Sequence, residues 1–294
     1  MPWVQLSFRC EAARADEVAE RMETLGAAAV SFVNAHDVPV LEPPVGKAVL
    51  WGQTCVQGLF DAAPNQVHDL SERMGALGPG EEIAVSIIDN RDWVAETQAL
   101  STPLRFGKGL WVIPSGLSAP DDARAVVTLD AGVAFGTGSH PTTRLCLEWL
   151  SAQALEGKHV LDFGCGSGVL AIAALKLGAQ RASIIDIDPQ ALDAACANAE
   201  RNGVSTRVHP GDPSELDRLL ARSGKADVLV ANILLEPLLA LAETLLGALS
   251  PNGSICLSGI LDSQAKCLRK TYEPPLSKPS VSVLDGWARL SGKR

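Results

Sequence analysis

The stretch Val160-Leu161-Asp162-Phe163-Gly164-Cys165-Gly166-Ser167-Gly168, VLDFGCGSG in one-letter form, decides how the rest of the chain is read. Its opening residues end an apolar strand, and the run VLAIAALKL after Gly168 has the length and spacing of a helix. Three closely spaced glycines between them let the main chain turn sharply and let a ligand approach the backbone. The dinucleotide fingerprint is G-x-G-x-x-G, which sets a pyrophosphate on a helix N-terminus. Here the third glycine arrives one residue early, giving G-x-G-x-G behind Asp162. That spacing argues against an NAD-binding oxidoreductase. A structural turn that holds no ligand is the plain alternative.

Working outward, strand signals follow at 159–163, 182–187, 206–209, 227–231 and 254–258. Helical patterns lie at about 168–178, 189–202, 214–223, 236–249 and 262–272. Such alternation predicts an α/β domain with a parallel sheet covered on both faces. Ligands of these sheets bind beyond the carboxyl ends of the strands, at the switch point. Upstream, the first third reads β-α-β-β-α-β. Its strands lie at 3–9, 28–33, within 45–60 and at 83–88, and its helices at 13–25 and 65–77. This order predicts a ferredoxin-like α+β sandwich, a fold that says little about chemistry by itself. The expected division is therefore 1–92 for the small domain, 93–130 for a Gly- and Pro-bearing connector with short strands at 110–113 and 125–129, and 131–294 for the α/β domain.

Composition narrows the function classes. The chain has 294 residues, 47% of them hydrophobic and 20% charged, enough to bury a substantial core. No apolar run is long enough to span a membrane, and residues 1–17 turn charged too early for a secretory signal, so a cytoplasmic protein is expected. The seven cysteines form no C-x-x-C pair and the five histidines have no ligand spacing, so neither a disulfide framework nor a metal site is expected. Of the net charge of −9, almost all sits in residues 1–92, where six basic residues face fourteen acidic ones. Such a surface disfavours direct nucleic-acid binding and attracts basic proteins, although an acidic face kept for solubility is equally consistent. The oligomeric state is not legible.

The glycine spacing resembles the first motif of class I methyltransferases, whose ligand carries a sulfonium and a carboxylate. Asp186 lies 22 residues past Gly164, at the tip of the next strand, where a carboxylate can accept hydrogen bonds from both hydroxyls of an adenosyl ribose. Asp188, before Pro189, reads mainly as a helix cap. Asp212 has two readings, a partner for the adenine amino group or an N-cap before Pro213. Asn232 ends the fourth strand of the α/β part, where its amide can hold the cofactor or orient an incoming amine, with turn chemistry as the alternative.

Several phrases together resemble one family, the PrmA-type methyltransferases of large-subunit ribosomal protein L11. They are LDAGVAFGTGSHPTT (129–143), VLDFGCGSGVLAIAALKLGA (160–179), IDIDPQAL (185–192), ANIL (231–234) and LSGIL (257–261). The likeness covers about residues 100–294, while the first third agrees in topology more than in wording. It implies a Rossmann-like class I methyltransferase sheet that binds S-adenosyl-L-methionine, with a smaller ferredoxin-like domain that recognises a basic ribosomal protein. It also implies methylation of lysine ε-amino or N-terminal α-amino groups. Its cofactor contacts fall on Thr143, Gly164, Asp186 and Asn232, to which the glycine turn itself adds Gly166, and Asn232 is the best candidate for orienting the amine. The loop Gly136–Thr137–Gly138 and His140 would fold over the cofactor, and Thr143 would begin the preceding helix. The chain departs from the family pattern at Ala131 (usually Pro), Ser139 (usually Thr) and Leu235-Glu236 (usually Ala-Gly). The last change bears on the substrate side and leaves the cofactor side intact. Methylation of another protein or a small amine, and cofactor binding without catalysis, are the alternatives. No residue must be the general base, and nothing supports Cys165 as a covalent nucleophile.

Overall fold

The computed structural model describes residues 3–34, 52–61, 83–88, 102–129 and 139–294. The chain divides into two compact units, Met1–Asp92 and Trp93–Arg294. In the first, strands β1 (Trp3–Glu11), β2 (Ala29–Asn34), β3 (Gln53–Phe60) and β4 (Ile83–Ile88) form an antiparallel sheet in the order β2-β3-β1-β4. That is the ferredoxin-like strand order. Helix α1 (Ala15–Thr24) packs Val18 and Met22 against Val4, Leu6 and Phe8, the inward-pointing alternate residues of β1. The helix expected over 65–77 lies outside the described residues, as does the Gly136–Thr137–Gly138 loop.

In the second unit, β5 (Leu104–Phe106), β6 (Leu110–Ile113) and β7 (Ala125–Thr128) make a three-stranded sheet from what reads in sequence as a connector. The main sheet contains β8 (His159–Phe163), β9 (Arg181–Ile185), β10 (Val208–Gly211), β11 (Ala226–Asn232), β12 (Leu249–Leu261), β13 (Ser277–Leu284) and β14 (Trp287–Lys293). Its order is β10-β9-β8-β11-β12-β14-β13. The order reverses beside β8, which has β9 on one edge and β11 on the other. All five residues of β8 are buried, as a central strand covered on both faces requires. Val160 joins the core under helices α2 (Pro141–Ser151), α3 (Val169–Lys176) and α4 (Pro189–Arg201). Leu161 and Phe163 join the opposite core under α5 (Leu216–Ser223), α6 (Leu235–Ala240), α7 (Ala242–Ala248) and α8 (Ala265–Tyr272).

The sheet is not parallel throughout. β14 runs antiparallel to both β12 and β13, closing the sheet with a hairpin that the strand-helix alternation did not include. The hairpin's signal was present: Asp285-Gly286 stands between alternating Val281, Val283 and Ala288, Leu290, and both turn residues have positive φ. The single helix expected over 236–249 is two, α6 and α7, broken at Leu241. The hydrogen bonds Leu241 N to Pro237 O and Leu245 N to Leu241 O carry the chain across the break. β12 is longer than the expected 254–258.

Tyr272 is fully buried and its hydroxyl donates to Leu238 O at 2.7 Å, tying α8 to α6. Tyr272→Phe removes that donor and leaves a buried carbonyl short of a partner. Urea unfolding should show a loss of about 1–2 kcal/mol with an unchanged m-value.

Candidate functional site

The site grows from the end of β8. After Phe163 the backbone N–H groups of Gly164 and Cys165 both donate to Ile185 O, at 2.7 and 3.0 Å, so the turn is pinned to the end of β9. Gly164, Gly166 and Gly168 all have positive φ. At Gly164 a Cβ would lie 2.2 Å from Ile233 Cγ2, so a side chain is excluded by space as well as by conformation.

Asp162 lies directly beneath this turn, entirely buried. Its Oδ2 accepts from Ala171 N at 3.0 Å, satisfying one of the orphan donors in the first turn of α3. Its Oδ1 has no partner. Burial is the main cause that pushes this carboxyl up to about 7; the Ala171 bond opposes it and the charge of Asp186 adds to it. Burial, then the charges of Asp162 and Asp186, push the Cys165 thiol far above its ordinary range. A thiol held protonated in this way is no nucleophile.

Asp186 is the residue after β9. Its Oδ2 accepts from Gly166 N at 2.9 Å and its Oδ1 from Asp188 N at 3.1 Å, so one carboxylate braces the glycine turn and the turn into α4. Each oxygen keeps a second lone pair. Asp188 accepts from Gln190 N at 2.9 Å as the N-cap of α4, the capping geometry expected of it. Asp212 also caps: it accepts from Ser214 N at 2.7 Å and Ser214 Oγ at 2.6 Å in a capping box with Glu215. Those bonds from Ser214 hold its carboxyl below the usual range. The capping reading is met.

Helix α2 begins at Pro141, two residues before the expected Thr143, because a proline suits the first helical position, and His140 is its N-cap. Thr142 N donates to His140 Nδ1 at 3.3 Å, and Thr142 Oγ1 lies 2.7 Å from the same nitrogen. Accepting at Nδ1 puts the proton of the neutral ring on Nε2. Burial lowers the His140 pKa, in keeping with a neutral cap at the positive end of a helix. The Trp287 ring meets the His140 ring edge-on, centroids 4.8 Å apart. Sequence reading missed Trp287; the Asp285-Gly286 turn, which places it at the start of β14, is the signal that leads to it.

Thr143, Gly164, Cys165, Gly166, Val169, Leu170 and Asn232 line one recess. It sits at the carboxyl ends of β8 and β11, where the strand order reverses. Asn232 Nδ2 lies 3.4 Å from Thr143 Oγ1, while Asn232 Oδ1 is buried and has no partner. Four of the five residues singled out by sequence thus share this recess, and the fifth, Asp186, is bonded to one of them. Beyond the strand tips stand two exposed apolar side chains, Ile187 at 84% and Leu234 at 54%. Among the described residues no group of three His, Cys, Asp or Glu is placed to hold a metal ion.

The orphaned acceptor on Asn232, the Cβ-free cradle at Gly164 and the carboxylate at Asp186 suit a ligand with donor groups and a need for close backbone approach. An adenosyl sulfonium amino acid has these properties. Its ribose hydroxyls and ammonium are donors, and its carboxylate suits backbone N–H groups.

Residues 2–294 match the family model described as ribosomal protein L11 methyltransferase (PrmA). The chain is 44% identical over 296 residues to a protein named ribosomal protein L11 methyltransferase from Escherichia coli strain SMS-3-5, with 100% of each chain covered. The same identity and coverage hold for the protein of that name from Shigella boydii serotype 18. Among solved structures, one titled ribosomal protein L11 methylase from Lactobacillus delbrueckii subsp. bulgaricus is 31% identical with a TM-score of 0.57. That alignment covers 65% of this chain and 97% of the other.

Asp162 ties stability to pH. Its folded pKa, at about 7, lies above the unfolded value, so the folded protein takes up this proton. Stability from that proton is full below about pH 4 and is lost as pH rises through 7. Asp162→Asn removes the cost of the buried charge. The urea midpoint of the variant relative to wild type should therefore be higher at pH 8 than at pH 5. An offset independent of pH would contradict the assignment.

Proposed function

The chain belongs to the ribosomal protein L11 methyltransferase family, and from that membership we propose that it transfers methyl groups from S-adenosyl-L-methionine to lysine ε-amino or N-terminal α-amino groups of ribosomal protein L11. The observation that carries this reading is the recess at the switch point, where the G-x-G-x-G turn, Asp186, Thr143 and the orphaned Oδ1 of Asn232 come together.

In this reading Gly164 and Gly166 admit the donor against the main chain, and Asp186 accepts from its ribose hydroxyls with the lone pairs the backbone leaves free. Ile187 offers the adenine an apolar face beside that carboxylate. Thr143 and Asn232 hold the methionyl end. When bound, S-adenosyl-L-methionine supplies a methyl group already activated by the neighbouring sulfonium. The protein's work is then alignment: holding a neutral amine in line with the carbon–sulfur bond, an effect that reaches about 7–11 kcal/mol in favourable cases. In this reading Asn232 Oδ1, buried without a partner of its own, is the acceptor that orients the amine's N–H.

The amine must arrive unprotonated, since a free lysine titrates near about 10.4 and an α-amino group near about 7.7–8.0. Among the described residues that line the recess none serves as a general base, because the Cys165 thiol is held protonated and the others do not titrate. Proton loss to solvent, aided by partial desolvation of the amine, meets the requirement.

We assign substrate recognition to residues 1–92 and methyl transfer to the unit that follows. The excess of acidic residues in 1–92 suits a basic ribosomal protein and disfavours direct contact with nucleic acid. A cytoplasmic site of action goes with that substrate. No helix among the described residues is long and apolar enough to cross a membrane.

The test is incubation with labelled S-adenosyl-L-methionine and ribosomal proteins from a methylation-deficient source, followed by mass spectrometry of the labelled band. L11 should carry the label. Asp186→Ala, which loses at least one charge-assisted hydrogen bond of about 1.5–3 kcal/mol, should lower the rate at limiting donor by about 10–100-fold. Label on another protein would move the substrate, and no label at all would overturn the enzymatic reading.

A further inference from the structure

Helix α4 carries Asn198 in its last turn and Asn202 as its C-cap, one turn apart, and both amides leave the helix to serve its neighbours. Asn198 Nδ2 donates to Ser167 O at 2.9 Å, inside the glycine turn. Its Oδ1 accepts from Arg201 Nη1 at 2.9 Å, which fixes the amide with its donor side toward the turn. Asn202 is nearly buried, at 7% exposure, and pairs twice with Thr128: Thr128 N donates to Asn202 Oδ1 and Asn202 Nδ2 donates to Thr128 O, both at 2.8 Å. The same Nδ2 also donates to Asn198 O at 2.8 Å.

Thr128 is the last residue of β7. Leu129 N donates to Ile113 O, so Leu129 faces β6 and the N–H and C=O of Thr128 face the other way. The Asn202 side chain supplies the partners that a neighbouring strand would have given. From here the chain runs to His140 and the helix that carries Thr143 into the recess.

The backbone contacts agree. A Cβ on Gly168 would lie 2.9 Å from Ala195 Cβ, so α4 presses against the end of the glycine turn through a small residue. Ala195, Asn198 and Asn202 stand at i, i+3 and i+7, one face of a helix. At its N-terminus the same helix is held by Asp188, whose N–H is bonded to Asp186. One face of α4 therefore meets the glycine turn and the exit of β7, while its start is bonded to the ribose-side carboxylate.

We propose that Asn198 and Asn202 are positioning residues for the methyl donor: their amides lock the Gly164–Gly168 turn and the exit of β7 to one helix, so that the glycine wall of the recess is held in a fixed place. Neither residue lines the recess. The inference rests on the donor-site reading given above and assigns to these side chains a share of donor affinity.

Asn198→Ala is the discriminating variant, because alanine is the better helix former and the substitution does not weaken α4 itself. The probe is S-adenosylhomocysteine, titrated calorimetrically into the full-length protein. Expected are a melting temperature within a few degrees of wild type, the helix propensity of alanine partly offsetting the partner lost by Ser167 O, and a Kd raised about fivefold, the worth of one neutral hydrogen bond. Amide exchange at 164–168 should be faster, and in turnover the KM for the donor should rise with kcat nearly unchanged. Asn202→Ala should accelerate exchange of the Thr128 amide and weaken the same Kd. Wild-type affinity and exchange in both variants would overturn the inference, as would a Kd that worsens only in step with a falling melting temperature. Failure of the wild-type protein to bind the probe would instead overturn the donor-site reading, and the inference with it.

Discussion

The site depends on how closely the backbone approaches Ile233. A Cβ at Gly164 would lie 2.2 Å from its Cγ2, and a Cβ at Gly259 would lie 2.3 Å from its carbonyl oxygen. Ile233 is thus wedged between glycines that extend from β8 and lie in β12, the two strands that flank β11. Its own N–H donates to Ser258 O at 3.1 Å. The wedge fixes the residues on either side, Asn232 in the recess and Leu234 at the start of α6. Neither glycine can acquire a side chain without moving the strand end that carries Asn232.

Once the turn is fixed there, its polar groups must be satisfied from below and beside it. Asp186 does so from beside, accepting from Gly166 N and Asp188 N. Asp162 does so from below, accepting from Ala171 N while its other oxygen stays unpartnered. A fully buried carboxyl pushed up to about 7 costs the folded state stability at neutral pH, and it lies under the one segment where a cationic donor is expected. The stability cost and the function thus fall on the same few residues.

Much of this was legible in sequence, for reasons that differ by element. The glycine turn was readable because sharp positive-φ backbone next to a buried strand leaves almost no other residue choice. Asp186 and Asn232 were readable because strand ends at a switch point are where ligands bind. The asparagines of α4 were not, since a side-chain amide that replaces a missing strand has no fixed offset in sequence from the strand it completes; Asn202 and Thr128 are 74 residues apart. The antiparallel hairpin is not legible from the strand-helix alternation, which ends at 272; its signal is the Asp-Gly turn alone.

The most direct test of the account is a crystal structure of the protein with S-adenosylhomocysteine. The account predicts ligand density against Gly164 and Gly166, with the ribose hydroxyls on Asp186 and the homocysteine end beside Thr143 and Asn232. Density elsewhere on the sheet, or a ribose that bypasses Asp186, would contradict it.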